Sequence, residues 1–259
     1  MAKTVYFCRH AQAEHNVAED YSSASPPPLP SHPSLTSLSL STSPTVPDAP
    51  LTKLGRQQSA DLRNETQDGF QKDAQLLVSS PLRRPMQTAI IGFAPLRERL
   101  DKAGKPMVLL PELQEVNDLP CDTGSDRTIL ESDPEFASLD FTSLTPSPAP
   151  PHWDSAPSWT SKQGIFNPER VTERARWVRR WVRERSESKI VVVAHGDILR
   201  VITDGRRSAT PWANAEVRAY TFSDKPEDQD DAVVVPVREV AKEGEEEPTT
   251  TDMKEGRTY

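Results

Sequence analysis

An apolar run of β-branched and aromatic residues, Thr4 to Cys8, stops at Arg9-His10. Leu76-Leu77-Val78 ends the same way in Ser79-Ser80, Met107–Leu110 is closed by Pro111, and Ile190–Ala194 ends in His195-Gly196. Short apolar runs of this kind, bounded by polar residues, predict buried strands. Between them the period changes to that of a helix. Thr52 is an N-cap candidate, and Leu51, Leu54, Gln58 and Leu62 would share one face of the helix that follows. Gly55 costs that helix about 1 kcal/mol relative to Ala, so close packing beside a strand or ligand is its expected reason. Pro81, at a first-turn position, predicts a helix through Arg84, Gln87 and Thr88. Glu169–Glu187 carries the clearest pattern: Trp177, Val178, Trp181 and Val182 form an apolar stripe, and Arg176, Arg179, Arg180 and Arg183 read as a solvated face. A further helix begins after Asp197, and Ala215–Phe222 and Ala232–Val237 read as late strands. Strands alternating with helices predict a three-layer α/β/α sandwich with a mostly parallel central sheet.

Two stretches break the pattern. In Ser22–Pro47, 19 of 26 residues are Ser, Thr or Pro, too few apolar groups to offset ordering entropy, so a disordered insertion (22–47) is expected. From Leu119 to about Asn167 the periodicity decays, with a second low-complexity piece at Thr142–Pro151. A cap or insert region over about 92–167 follows. The expected organisation is one domain over 1–240 and an acidic flexible tail over 241–259.

Composition narrows the function classes. At 259 residues a single core is the default. A net charge of −8 argues against a generic nucleic-acid binder. The two cysteines, Cys8 and Cys121, offer neither a disulfide framework nor a CxxC metal pattern, and suggest reduced thiols in a cytoplasmic or nuclear setting. No apolar run approaches membrane-spanning length, and the run after Lys3 is too short for a secretory h-region. No metal site or cofactor is expected.

The candidate chemistry lies at strand ends, where open α/β sheets build ligand sites. Arg9-His10 and His195 end two strands. Arg83 and Arg84 sit at a helix start whose dipole favours phosphate, and Glu112 and Glu115 follow the third strand. Such a set can supply a nucleophilic imidazole, cations for non-bridging oxygens and an acid for a leaving alcohol. His15 and His32 have no comparable support and read as surface or turn residues. Cys8 reads as a small buried hydrophobe.

Phe7-Cys8-Arg9-His10-Ala11-Gln12-Ala13-Glu14-His15-Asn16, Leu51-Thr52-Lys53-Leu54-Gly55-Arg56-Gln57-Gln58, Ser79-Ser80-Pro81-Leu82-Arg83-Arg84-Pro85-Met86-Gln87-Thr88-Ala89 and Val193-Ala194-His195-Gly196 together resemble, in order, the motifs of the histidine phosphatase superfamily, branch 1. The resemblance implies a phosphoglycerate mutase-like fold. It implies His10 as the nucleophile that becomes phosphohistidine. Arg9, Asn16, Arg84 and His195 would hold the phosphate, with Arg83 directed elsewhere. Glu115, in Leu113-Gln114-Glu115, would be the proton donor in preference to Glu112. Two departures stand out. Ala11 replaces the usual Gly, and Asp118–Gly124 replaces the usual stretch after the acid.

The expected activity is metal-independent hydrolysis of a small phosphorylated metabolite, with no nucleic-acid or membrane partner. A mutase that returns the phosphoryl group to its substrate is the alternative, and a non-catalytic phospho-ligand module is a third reading. Substrate identity and oligomeric state are not legible.

Overall fold

The computed structural model describes residues 3–17 and 46–237. The Ser/Pro-rich insertion, apart from 46–47, and the acidic tail lie outside the described residues. Six strands form one sheet: β1 (Thr4–Arg9), β2 (Leu76–Ser79), β3 (Val108–Leu109), β4 (Lys189–Ala194), β5 (Val217–Phe222) and β6 (Val234–Pro236), in the order β3-β2-β4-β1-β5-β6. The first four are parallel, and β5 and β6 run antiparallel at one edge. Helices α1 (Lys53–Thr66), α2 (Arg83–Gly92) and α3 (Ala94–Lys102), the short α4 (Arg127–Ser132), and α5 (Val171–Glu184) and α6 (Gly196–Asp204) complete the layers.

Alternation along the strands sorts the core into two sides. Leu77, Val191 and Val193 meet Leu62 of α1, Met86 and Ala89 of α2, and Leu96 and Leu100 of α3. Val5, Phe7, Leu76, Val78, Ile190 and Val192 meet Val178 and Val182 of α5 and Ile198 and Val201 of α6. The strands are buried, as the apolar runs predicted, and the structure shows that both faces are covered.

Several local expectations are revised. Leu54 is 52 % exposed. The buried positions of α1 are Gly55, Ser59 and Leu62, and Leu51 precedes the helix in a bridge to Ala13. The stripe is set by Gly55, where a Cβ would run into the Gln12 carbonyl. Helix α2 begins at Arg83 rather than Pro81, and its first amide is capped from a distance: Arg83 N donates to Asp48 Oδ1 at 2.8 Å. Arg176, Arg180 and Arg183 of α5 lie on a partly exposed face, apart from the buried Arg179, but all four are braced rather than free. Arg176 pairs with Asp231, while Arg179, Arg180 and Arg183 donate to the carbonyls of Asp231, Asp230 and Gln229. Trp177 and Trp181 lie only partly buried at the core's margin, and the fully buried face of α5 includes Arg174.

Of the 92–167 region, α3 and β3 belong to the sandwich itself. The low-periodicity stretch after Leu119 buries Phe136, Phe141, Leu144, Trp153, Trp159, Ile165 and Phe166 into the core beside α2 and α3. Isolated aromatics fill this wall through single 3-10 turns, such as Pro151–Trp153 and Gly164–Phe166, so no helical or strand period advertises it.

Candidate active site

Sheet register brings the candidate residues together. Arg9 pairs with Ala194 and Ser79 with Val193, so His10, His195 and Ser80 leave three adjacent strands at the same level. The connections His10 N to Ala194 O and Ser80 N to Val193 O, both 2.9 Å, fix that level. A cleft of about 450 Å³ opens there, lined by Arg9, His10, His15, Asn16, Glu115 and Asp122 and also by Asn117, Arg200 and Trp212.

His10 is 2 % exposed. Its Nδ1 lies 2.7 Å from the Ala11 carbonyl, which only accepts, so Nδ1 carries the proton and Nε2 keeps its lone pair. Arg84 Nε donates to that Nε2 at 3.2 Å. Burial, reinforced by Arg84, Arg9 and His15, holds the His10 pKa well below the ordinary imidazole range. The ring is therefore neutral at pH 7. Ala11 is not among the residues with positive φ, so nothing in the backbone requires Gly there. Its N–H donates to Thr88 Oγ1 at 3.0 Å, tying the turn to α2.

His195 is fully buried, edge-on to His10 with ring centroids 5.2 Å apart. Its Nε2 lies 2.9 Å from Ser80 Oγ, and its Nδ1 has no hydrogen-bond partner among the described residues. Burial and Arg84 depress its pKa also. Arg9 Nη1 donates to the Trp212 carbonyl at 2.5 Å. Asn16 Oδ1 accepts from Ala13 N, and its Nδ2 lies 3.0 Å from His15 Nε2. Arg84 also donates to the Cys121 carbonyl (2.5 Å) and Asp122 Oδ1 (2.9 Å). Arg83 turns away to Asp133 and Asp48.

The two glutamates part company. Glu115 lines the cleft, and its carboxyl accepts from Asp197 N (3.2 Å) and Ile198 N (3.1 Å) in the first turn of α6, and from Val116 N (2.9 Å). Burial raises its pKa, aided by Asp122 and Asp197. Arg84 and the Asp197 N–H oppose the rise without cancelling it. Glu112 is away from the cleft, accepting from Trp153 Nε1 (2.8 Å) and bonded to His152 Nε2 (2.5 Å).

The site also holds residues that sequence reasoning missed. His15, read as a surface or turn residue, lines the cleft with its ring 5.8 Å from that of His10. Burial and the nearby arginines push its pKa down to about 3. Its place in Glu14-His15-Asn16, one turn beyond the nucleophile candidate, is the signal that could have found it. Asp122 and Trp212 carried no local signal, being brought in by chain folding alone, whereas Arg200 stands on α6 just over a turn after His195. Among the described residues, no group of three or more His, Cys, Asp or Glu is arranged to hold a metal ion. No helix among them is long and apolar enough to cross a membrane.

Comparison with known proteins agrees with this architecture. Residues 44–220 match the family described as histidine phosphatase superfamily (branch 1). The chain is 26 % identical over 233 residues to a protein named a probable phosphatase from Schizosaccharomyces pombe, covering 89 % of this chain and 83 % of that one. It is 28 % identical over 222 residues to a phosphoglycerate mutase-like protein of Arabidopsis thaliana, covering 76 % and 72 %. Among solved structures, it shares its fold with an Escherichia coli protein described as a candidate α-ribazole-5′-P phosphatase, with a TM-score of 0.51, 16 % identity, and 92 % and 95 % coverage.

Proposed function

We propose that this chain, which belongs to branch 1 of the histidine phosphatase superfamily, hydrolyses small phosphate monoesters through a phosphohistidine on His10. The observation that carries this reading is the fixed His10 tautomer. Nδ1–H is committed to the Ala11 carbonyl, and the bare Nε2 sits 3.2 Å from a permanent cation. An unprotonated imidazole nitrogen that accepts from a guanidinium in the resting site is placed to attack an anion that draws the same guanidinium to itself.

In the first step Nε2 attacks phosphorus in line, the bond to the leaving oxygen breaks with its electron pair, and Glu115 gives that oxygen a proton. In the second, water attacks the phosphohistidine, Glu115 takes the water's proton, the P–N bond breaks and inorganic phosphate leaves. Arg9, Asn16, Arg84 and His195 surround the oxygens on which charge collects, where most phosphoryl-transfer catalysis resides. The raised Glu115 pKa suits the acid role, because a carboxyl that holds its proton to higher pH than an ordinary glutamate is better placed to deliver it.

The cleft volume is that of a small-molecule site, and the relatives named as phosphatases point the same way. A mutase must shield its phosphohistidine from water. The cleft here is lined by Asn117, Asp197 and Arg200, polar groups that hold water readily, which favours hydrolysis. Purified protein given p-nitrophenyl phosphate is expected to release nitrophenol and phosphate in equal amounts, and His10→Ala protein to release neither. Full activity in His10→Ala would overturn the proposal.

A further inference from the structure

Resting on that reading of the site, we propose that Asp122, seated by Lys162, is a positioning residue that aims Arg84 at His10 and sets a second negative charge beside the Glu115 carboxyl. Asp122 comes from the Asp118–Gly124 stretch, the part of the chain that departs from the superfamily's motifs. It is 4 % exposed. Its Oδ1 accepts from Arg84 Nη2 at 2.9 Å, while Arg84 Nη1 donates to the adjoining Cys121 carbonyl. With both terminal nitrogens held on one side, the remaining edge, Nε–H, points to His10 Nε2. A planar guanidinium fixed at two corners has no freedom left at the third.

Lys162 holds this turn and the acid's turn in register. Its Nζ donates to the Asp122 carbonyl (2.8 Å), the Glu115 carbonyl (3.1 Å) and Gln114 Oε1 (2.8 Å). One ammonium thus spans the two segments that bring carboxylates into the cleft. Besides Asp122, the charged groups around Glu115 are Asp197 of α6, Arg84 of α2, Arg174 of α5 and Lys162 itself. Asp122 is the strongest neighbouring charge acting to keep the proton on Glu115. Removing that charge makes Glu115 lose its proton at lower pH.

The test is Asp122→Asn, which keeps shape and removes charge. With phenyl phosphate, whose poor leaving group depends on the acid, the alkaline limb of kcat is expected to move down by about one pH unit. Inhibition by inorganic phosphate is expected to weaken about tenfold as Arg84 loses its anchor. Asp122→Glu, which retains the charge, should restore the limb. A limb unmoved in Asp122→Asn, with the wild type active, would overturn the proposal. Should Asp122→Asn fail to fold, Lys162→Met serves: weaker phosphate inhibition supports the brace, and unchanged inhibition refutes it. Failure of the wild type to turn over any phosphomonoester would instead strike the proposed function. Calorimetric titration of wild type and Asp122→Asn with inorganic phosphate would then still read the Arg84 half, equal affinities counting against it.

Discussion

Arg84 Nε lies 3.2 Å from His10 Nε2 and donates to it, so the nitrogen left bare by the His10 tautomer is already matched to a cation. The same contact depresses the His10 pKa, second only to burial. Replacing Arg84 with Ala is expected to lower kcat/KM by about 10²–10³, the scale of losing one preorganised donor to a developing anion. The His10 pKa should also rise, moving the acidic limb of the rate profile to higher pH. Steady-state kinetics from pH 4 to 8 would measure both, and a variant with wild-type kcat/KM would contradict the assignment.

Glu115→Gln and Glu112→Gln separate chemistry from structure. The first removes the only proton that the cleft carboxyl could donate and should cost about 10²–10⁴ in kcat, with inorganic phosphate still bound. The second touches a carboxylate that accepts from Trp153 and bonds to His152, and should lower the melting temperature with activity retained. An inactive Glu112→Gln beside an active Glu115→Gln would reverse the roles.

Gly55→Ala is expected to destabilise the fold by about 1–3 kcal/mol, as overpacking does, since its Cβ meets the Gln12 carbonyl. The same carbonyl accepts from Thr52 N, so the strain would reach the loop that follows His10. Thermal unfolding gives the first effect and KM the second. Unchanged melting would show that the contact relaxes freely.

His10, His15 and His195 all have pKa values lowered in the fold. Between those values and the ordinary histidine value of about 6.5, the unfolded chain binds more protons than the native one. Their contribution to stability is therefore complete above about pH 6.5 and is lost as pH falls below it. Glu115, with a raised pKa, acts in the opposite sense: its contribution is complete below the ordinary Glu value of about 4.3 and is lost as pH rises through its native value. Melting temperature should fall from pH 7 to pH 5, and His15→Asn should flatten that slope. A slope unchanged in the variant would contradict the assignment for His15.

Activity is expected to survive EDTA, because every step of the proposed mechanism uses side chains of this chain. Initial rates with and without chelator settle the point, and abolition by EDTA restored by a divalent metal would contradict it.

The sheet was legible because its strands are continuous apolar runs, and Arg9-His10, Arg84 and His195 were legible because each sits at a strand end or the helix start that follows. Asp122, Lys162 and Trp212 were not. Asp122 and Lys162 reach the site through turns set among scattered aromatics such as Trp153, Trp159 and Phe166, and Trp212 through the loop after α6, with no period to read. The face of α1 was misplaced by one position because Leu54 looks apolar in sequence, yet the helix turns Gly55 inward to meet Gln12. The bracing of the α5 arginines was not legible because their partners, the carbonyls of 229–231, lie about fifty residues away in the chain.

The most direct test of the central claim is to mix the enzyme with an excess of a phosphomonoester, stop the reaction in alkali, where phosphohistidine survives, and map the phosphoryl group by mass spectrometry. The account predicts a phosphorylated peptide carrying His10, formed within one turnover, increased in Glu115→Gln when the ester has a good leaving group, and absent from His10→Ala. Rapid turnover with no phosphoryl group on His10 at any time, or a phosphoryl group found on another residue, would contradict it.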